Sequence, residues 1–83
     1  MAMLLLATYA SSHSALRAEQ GLRAAGLQVE LIPVPRQVRS DCGFGLLAEV
    51  PDGDLLARSG AQDLWRVTEP AAGQLRRTYE PYL

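Results

Sequence analysis

Hydrophobic positions change their spacing several times along this chain, and each change marks a different element. Residues 3–9, Met-Leu-Leu-Leu-Ala-Thr-Tyr, form a continuous apolar run of strand length, suited to a central strand covered on at least one face. Over residues 13–25 the period lengthens. Ala15, Ala18, Leu22 and Ala25, with Leu16 beside them, recur at three- and four-residue intervals and predict one apolar helix face. Ser11 or Ser12 supplies the N-cap, Gly26 the stop, and Glu19 with Arg23 a favourable i,i+4 pair on the outside. Gly21 costs such a helix about 1 kcal/mol relative to alanine, a cost that close packing on a sheet would explain. Residues 28–32 alternate polar and apolar, with Val29 and Leu31 inward, the mark of a half-buried strand. Residues 44–50 predict the next strand, an antiparallel partner reached through a proline-rich loop. Pro51, Asp52, Gly53 and Asp54 then punctuate the chain and start a short helix over residues 55–59, broken by Gly60, and residues 63–68 read as a last strand.

The order strand, helix, strand, strand, short helix, strand predicts an α+β fold of the ferredoxin-like split βαββαβ type: a four-stranded antiparallel sheet with helices on one face. Leu4, Leu6, Leu16, Leu22, Val29, Leu31, Leu46, Ala48 and Val67 are the expected core. The second helix has barely two turns between Pro51 and Gly60, and Trp65 is expected to fill the gap it leaves. Residues 1–69 form the domain. Residues 70–83 read as a flexible or partner-bound extension, or as a fifth edge strand over residues 74–79.

Charge and composition narrow the function classes. Eighty-three residues make one domain with a single modest core. A net charge of −1 and a pI near 5.7 leave no basic footprint for nucleic acid and no polybasic membrane patch. All eight basic residues are arginine, which removes lysine Schiff-base chemistry. One cysteine allows no intramolecular disulfide and fits a reducing, cytoplasmic location. The apolar start of the chain has no positively charged leader region and is too short for a membrane span. Homo-oligomerisation is compatible with all of this.

The single cysteine stands in the most distinctive stretch, residues 32–45, Ile-Pro-Val-Pro-Arg-Gln-Val-Arg-Ser-Asp-Cys-Gly-Phe-Gly. Pro33 and Pro35 cannot donate backbone hydrogen bonds and bias their neighbours toward extended backbone, so the chain leaves its strand as a stiff ribbon. Ser40, Asp41 and Gly43 then favour a tight surface turn around Cys42. Arg36 and Arg39 precede the thiol, and an electropositive turn lowers a cysteine pKa from its usual value of about 8.5, making a nucleophile at neutral pH. The competing reading is a buried cysteine acting as a small hydrophobe, and its polar neighbours argue against that. In the expected topology, the start of the first helix, with Ser11, Ser12 and His13, comes to the same sheet end as this loop. Backbone N–H groups and the helix dipole could hold a thiolate or small oxyanion there. His13 reads either as a solvated capping residue or as a proton acceptor for Cys42. Cys42, His13 and Asp41 lack the repeats of a metal site, so no metal is expected. Tyr9 reads as a core or rim aromatic, and Asp52 and Asp54 as solvated carboxylates at a helix start.

Two blocks carry a family resemblance. Leu-Ile-Pro-Val-Pro-Arg at residues 31–36, a short spacer and Ser-Asp-Cys-Gly at residues 40–43 form one; residues 8–19, Thr-Tyr-Ala-Ser-Ser-His-Ser-Ala-Leu-Arg-Ala-Glu, form the other. Together they resemble the selenium/sulfur carrier protein-like family of small bacterial domains, over about residues 3–50. The resemblance implies that Cys42 carries sulfur or selenium as a persulfide or selenosulfide, with no cofactor beyond that covalent cargo. It also implies a donor protein, an acceptor protein and a second helix longer than this chain allows. The alternative is a ferredoxin-like module that binds a small anion or regulates a partner, with Cys42 incidental. A turnover enzyme is disfavoured, because no nucleophile, base and orienter set assembles from these residues.

Overall fold

The structure, a computed structural model, describes residues 2–38, 43–70, 72–73 and 76–82. The apolar run at the start of the chain becomes β1 (Met3–Thr8), followed by α1 (Ser12–Ala24), β2 (Val29–Pro33), β3 (Phe44–Val50), α2 (Asp54–Arg58), β4 (Asp63–Thr68) and β5 (Thr78–Pro81). All pairings are antiparallel, in the order β2-β3-β1-β4-β5. The expected count of four strands is corrected to five. β5 pairs with β4 from Thr68↔Thr78 to Trp65↔Pro81, later in the chain than residues 74–79. The alternative of a fifth edge strand thus overlaps β5 at residues 78–79, and the ladder with β4 sets its bounds.

β1 is apolar at nearly every position because it is central and covered on both faces. Leu5, Ala7 and the adjoining Tyr9 pack under the helices with Ala15, Ala18, Leu22, Val29, Leu46, Ala48, Val50 and Leu56. Leu6 points the other way and packs with Val38, Leu47 and Val67, flanked by Leu4, Ile32, Val34, Trp65 and Tyr79. Trp65 is therefore on the helix-free face and does not fill a gap beside α2: Leu6↔Trp65 are register partners, so their side chains share a face.

α1 begins where Ser11, in extended conformation, accepts a hydrogen bond at its Oγ from Ser14 N at 3.2 Å. It ends where Gly26, at φ +90°, lets the chain turn back, with Gly26 N bonded to Arg23 O and Leu27 N to Leu22 O. The expected Glu19–Arg23 pair forms at 3.1 Å. Leu16 is a correction to the expected core: it is 46% exposed, because the buried stripe is Ala15, Ala18 and Leu22, and Leu16 lies one residue round the helix from it. Gly21 is a second correction. It is exposed, and a Cβ added there would meet nothing within 4 Å, so close packing does not explain it.

Candidate functional site

The loop between β2 and β3 is closed at its base by backbone pairing. Pro33 is in register with Phe44, and Val34 N donates to Gly43 O at 3.0 Å, one rung beyond the strands. Val34 stands between two prolines that have no N–H, so it supplies the donor that this rung needs. The chain then turns, with Val38 N donating to Pro35 O at 3.0 Å. That turn leaves Arg36 and Gln37 at its exposed central positions and drives Val38 under the loop, where it is 4% exposed beside Leu6, Leu47 and Val67. A buried apolar residue thus anchors a polar-looking segment to the helix-free face.

The other limb enters β3 through Gly45. A Cβ there would lie 2.9 Å from Ala7 O and 3.0 Å from Leu6 Cδ1, so only glycine lets β3 come this close to β1. Thr8 is the register partner of Gly45 on one side and of Asp63 on the other, and its Oγ1 donates to Asp63 O at 3.4 Å. Since Ser11 follows Thr8 by three residues, the start of α1 and both limbs of the loop leave the sheet at one end.

The structure gives the expected site residues different fates. Ser11 is the N-cap, and its Oγ also donates to Ser14 Oγ at 3.1 Å. Ser12 and His13 are exposed in the first turn of α1, Arg36 is exposed on the Pro35–Val38 turn, and Gly43 is exposed at the loop base. Arg39, Ser40, Asp41 and Cys42 lie outside the described residues. Tyr9 is fully buried, with its hydroxyl 2.7 Å from Ser59 Oγ, and Asp52 and Asp54 are exposed, with Asp52 Oδ1 accepting from Asp54 N.

Sequence reasoning missed the contribution of the C-terminal hairpin. Pro35 and Gln37 share a cleft of about 350 Å³ with Glu69, Pro70, Arg76, Arg77 and Tyr79. Arg77 Nε donates to Glu69 Oε2 at 3.2 Å, and this bond holds the guanidinium's pKa above its ordinary value. A signal was present: Glu69 and Arg77 are opposite charges flanking a segment with Pro70 and Gly73, the pair expected next along a Thr68–Thr78 ladder. The hairpin thus places two arginines against the ribbon that carries Arg36.

Among the described residues no group of three or more His, Cys, Asp or Glu is placed to hold a metal ion, and no helix is long and apolar enough to cross a membrane. A family model described as "Putative Se/S carrier protein-like" matches residues 4–58, which span β1 to the end of α2. No curated protein and no solved structure matches the chain.

Proposed function

Because the chain belongs to the Se/S carrier protein-like family, we propose that it holds sulfane sulfur or selenium on Cys42 and passes it between proteins. The observation that supports this most is the closure of the loop by Val34 and Gly43, which fixes the neighbour of Cys42 at an exposed sheet end. In the loading step the Cys42 thiolate attacks the terminal sulfur of a donor persulfide. A new S–S bond forms on Cys42, the donor's S–S bond breaks, and the donor leaves as a thiolate with the bonding electron pair. The same exchange with a donor perselenide yields a selenosulfide. No resolving cysteine is needed, and a reducing cytoplasm suits a lone carrier thiol.

In this reading Arg36 and Arg39 favour the thiolate, and Ser40, Asp41 and Gly43 shape the turn. Ser11, Ser12 and His13 bring the start of α1 toward the loop, with His13 as proton acceptor. The fold is read as a ferredoxin-like split βαββαβ unit, β2-β3-β1-β4, to which β5 adds an edge. The protein acts as a carrier with donor and acceptor partners, with no independent turnover.

A second reading is supported by the cleft between the loop ribbon and the hairpin. Arg76 beside Pro35 and Gln37, with Arg77 paired to Glu69 in the same cleft, offers a small anion a guanidinium, with Cys42 incidental. Incubation with a cysteine desulfurase and cysteine, or with a selenium donor, separates the two. Intact mass spectrometry should show a gain of one sulfur or selenium, removable by a thiol reductant and absent from Cys42→Ser. Sulfate binding that survives in Cys42→Ser, with no mass gain in the folded wild-type protein, would favour the anion-binding module.

A further inference from the structure

α1 packs over β2 and β3 and α2 over β4, which leaves a groove of about 470 Å³ between the helices. Arg17, Gly21 and Leu22 line one wall, and Leu55 and Arg58 the other. Among the described residues that line it, the only charged ones are Arg17 and Arg58, one on each wall, and apolar Ala18, Leu22 and Leu55 stand with them. Arg58 is bonded to Asp54 at 2.9 Å, but that i,i+4 pair is solvent-exposed and is readily exchanged for another anion. Gly21 adds an independent observation. A glycine within a helix is unfavourable, and a Cβ added at this one would meet nothing within 4 Å, so its effect is to keep one groove wall low.

Shape and charge together select the occupant. The groove is more open than enclosed, whereas a site for a small molecule buries most of its ligand's surface, so a protein segment fits better. Leu55 is 38% exposed and offers that segment an apolar contact. One end of the groove reaches Ser14, in the first turn of α1, and Ser59 and Gly60, just before Gln62 N bonds to Thr8 O. That is the sheet end from which the β2–β3 loop leaves.

We infer that the α1–α2 groove is the docking track for an acidic, partly apolar segment of the protein that loads Cys42; this rests on the carrier reading above. Guanidiniums on both walls provide the charge complementarity, and the groove leads the donor toward the loop.

The test compares two sulfur sources on the full chain, a cysteine desulfurase with cysteine and inorganic polysulfide, which needs no docking. From polysulfide, Cys42 takes one sulfur and releases a polysulfide shortened by one sulfur. Arg17→Glu combined with Arg58→Glu should slow desulfurase loading by roughly tenfold or more and weaken its decline with added salt, leaving the polysulfide rate unchanged. Gly21→Leu, whose Cβ would meet nothing within 4 Å, should slow the desulfurase alone with the melting temperature maintained. Desulfurase rates equal to wild type in both variants would overturn the groove while leaving the carrier reading intact. Failure of polysulfide to load the folded wild-type protein would overturn both.

Discussion

Tyr9 donates its hydroxyl hydrogen to Ser59 Oγ across 2.7 Å, and the direction of that bond follows from what Ser59 does with its own hydrogen. Ser59 Oγ donates to the Leu56 carbonyl, so it can only accept from the tyrosine. The bond ties the residue after β1 to the C-cap of α2. α2 has five residues, far fewer than the roughly 12 that an isolated helix needs to be even marginally stable in water, so tertiary contacts must hold it. The fully buried Leu56 and the Tyr9–Ser59 bond are two of them.

Tyr9→Phe should therefore lower stability by about 1 kcal/mol at neutral pH, since it removes one hydrogen bond and little volume. Its pH dependence is more diagnostic. Burial raises the Tyr9 phenol above its ordinary value of 10.0, with the Ser59 bond opposing in part. Below that value both folded and unfolded chains keep the proton and stability is full; above it the unfolded chain ionises first, and stability is lost as pH rises through the folded pKa. Urea midpoints at neutral pH and near pH 10.5, roughly half a unit above the ordinary tyrosine pKa, should show a steep alkaline fall in wild type and a shallower one in Tyr9→Phe. Equal falls would remove Tyr9 as the cause.

Leu56→Ala should cost about 2–5 kcal/mol, as a fully buried leucine is replaced by a cavity beneath a helix with little stability of its own. Leu55→Ala, one residue away and 38% exposed, should stay within about 0.5 kcal/mol of wild type. Chemical denaturation of the pair reads this out, and similar losses in both would show that α2 is not held through Leu56.

Strands bounded by glycine and proline were the most legible in the sequence. β3 and β4 fall on the expected residues 44–50 and 63–68 because Gly43, Pro51, Gly60 and Pro70 punctuate them. Face assignment was less legible. A continuous apolar strand does not say that Leu5 and Ala7 meet the helices while Leu4 and Leu6 face away, so Leu4 and Leu6 were grouped with Val29, Leu46 and Ala48, which lie on the helix side. Val38 was hidden between Gln37 and Arg39, because its burial depends on the Pro35–Val38 turn rather than on any periodicity. For the site, the meeting of the start of α1 and the β2–β3 loop at one sheet end was readable as topology, whereas the approach of Arg76 and Arg77 to the ribbon depends on two loops distant in sequence.

Alkylation of Cys42 by iodoacetamide, followed against pH, tests thiol activation. The rate should reach half its plateau below about pH 8.5, the ordinary thiol value, and Arg36→Ala should move that midpoint upward. With His13 as proton acceptor, His13→Ala should also move it upward. A midpoint at the ordinary value, or reaction only after denaturation, would remove the activated cysteine.

Two glycines should respond to the same substitution with opposite signs. Gly21→Ala adds a methyl group in open space on an exposed helix position and should stabilise the protein by up to about 1 kcal/mol. Gly45→Ala drives its methyl to 2.9 Å from the Ala7 carbonyl and 3.0 Å from Leu6 Cδ1. The carbonyl belongs to the ladder between β1 and β3 and cannot retreat without straining it, so a loss of about 1–3 kcal/mol is expected. Gly45 also sits two residues from Gly43, so the displaced start of β3 should weaken the rung that closes the loop. Hydrogen exchange at the Val34 amide should accelerate in Gly45→Ala beyond the change due to global stability and stay at the wild-type rate or slower in Gly21→Ala. A Gly45→Ala protein as stable as wild type, with unchanged Val34 exchange, would mean that the close approach of β3 to β1 does not hold the loop shut.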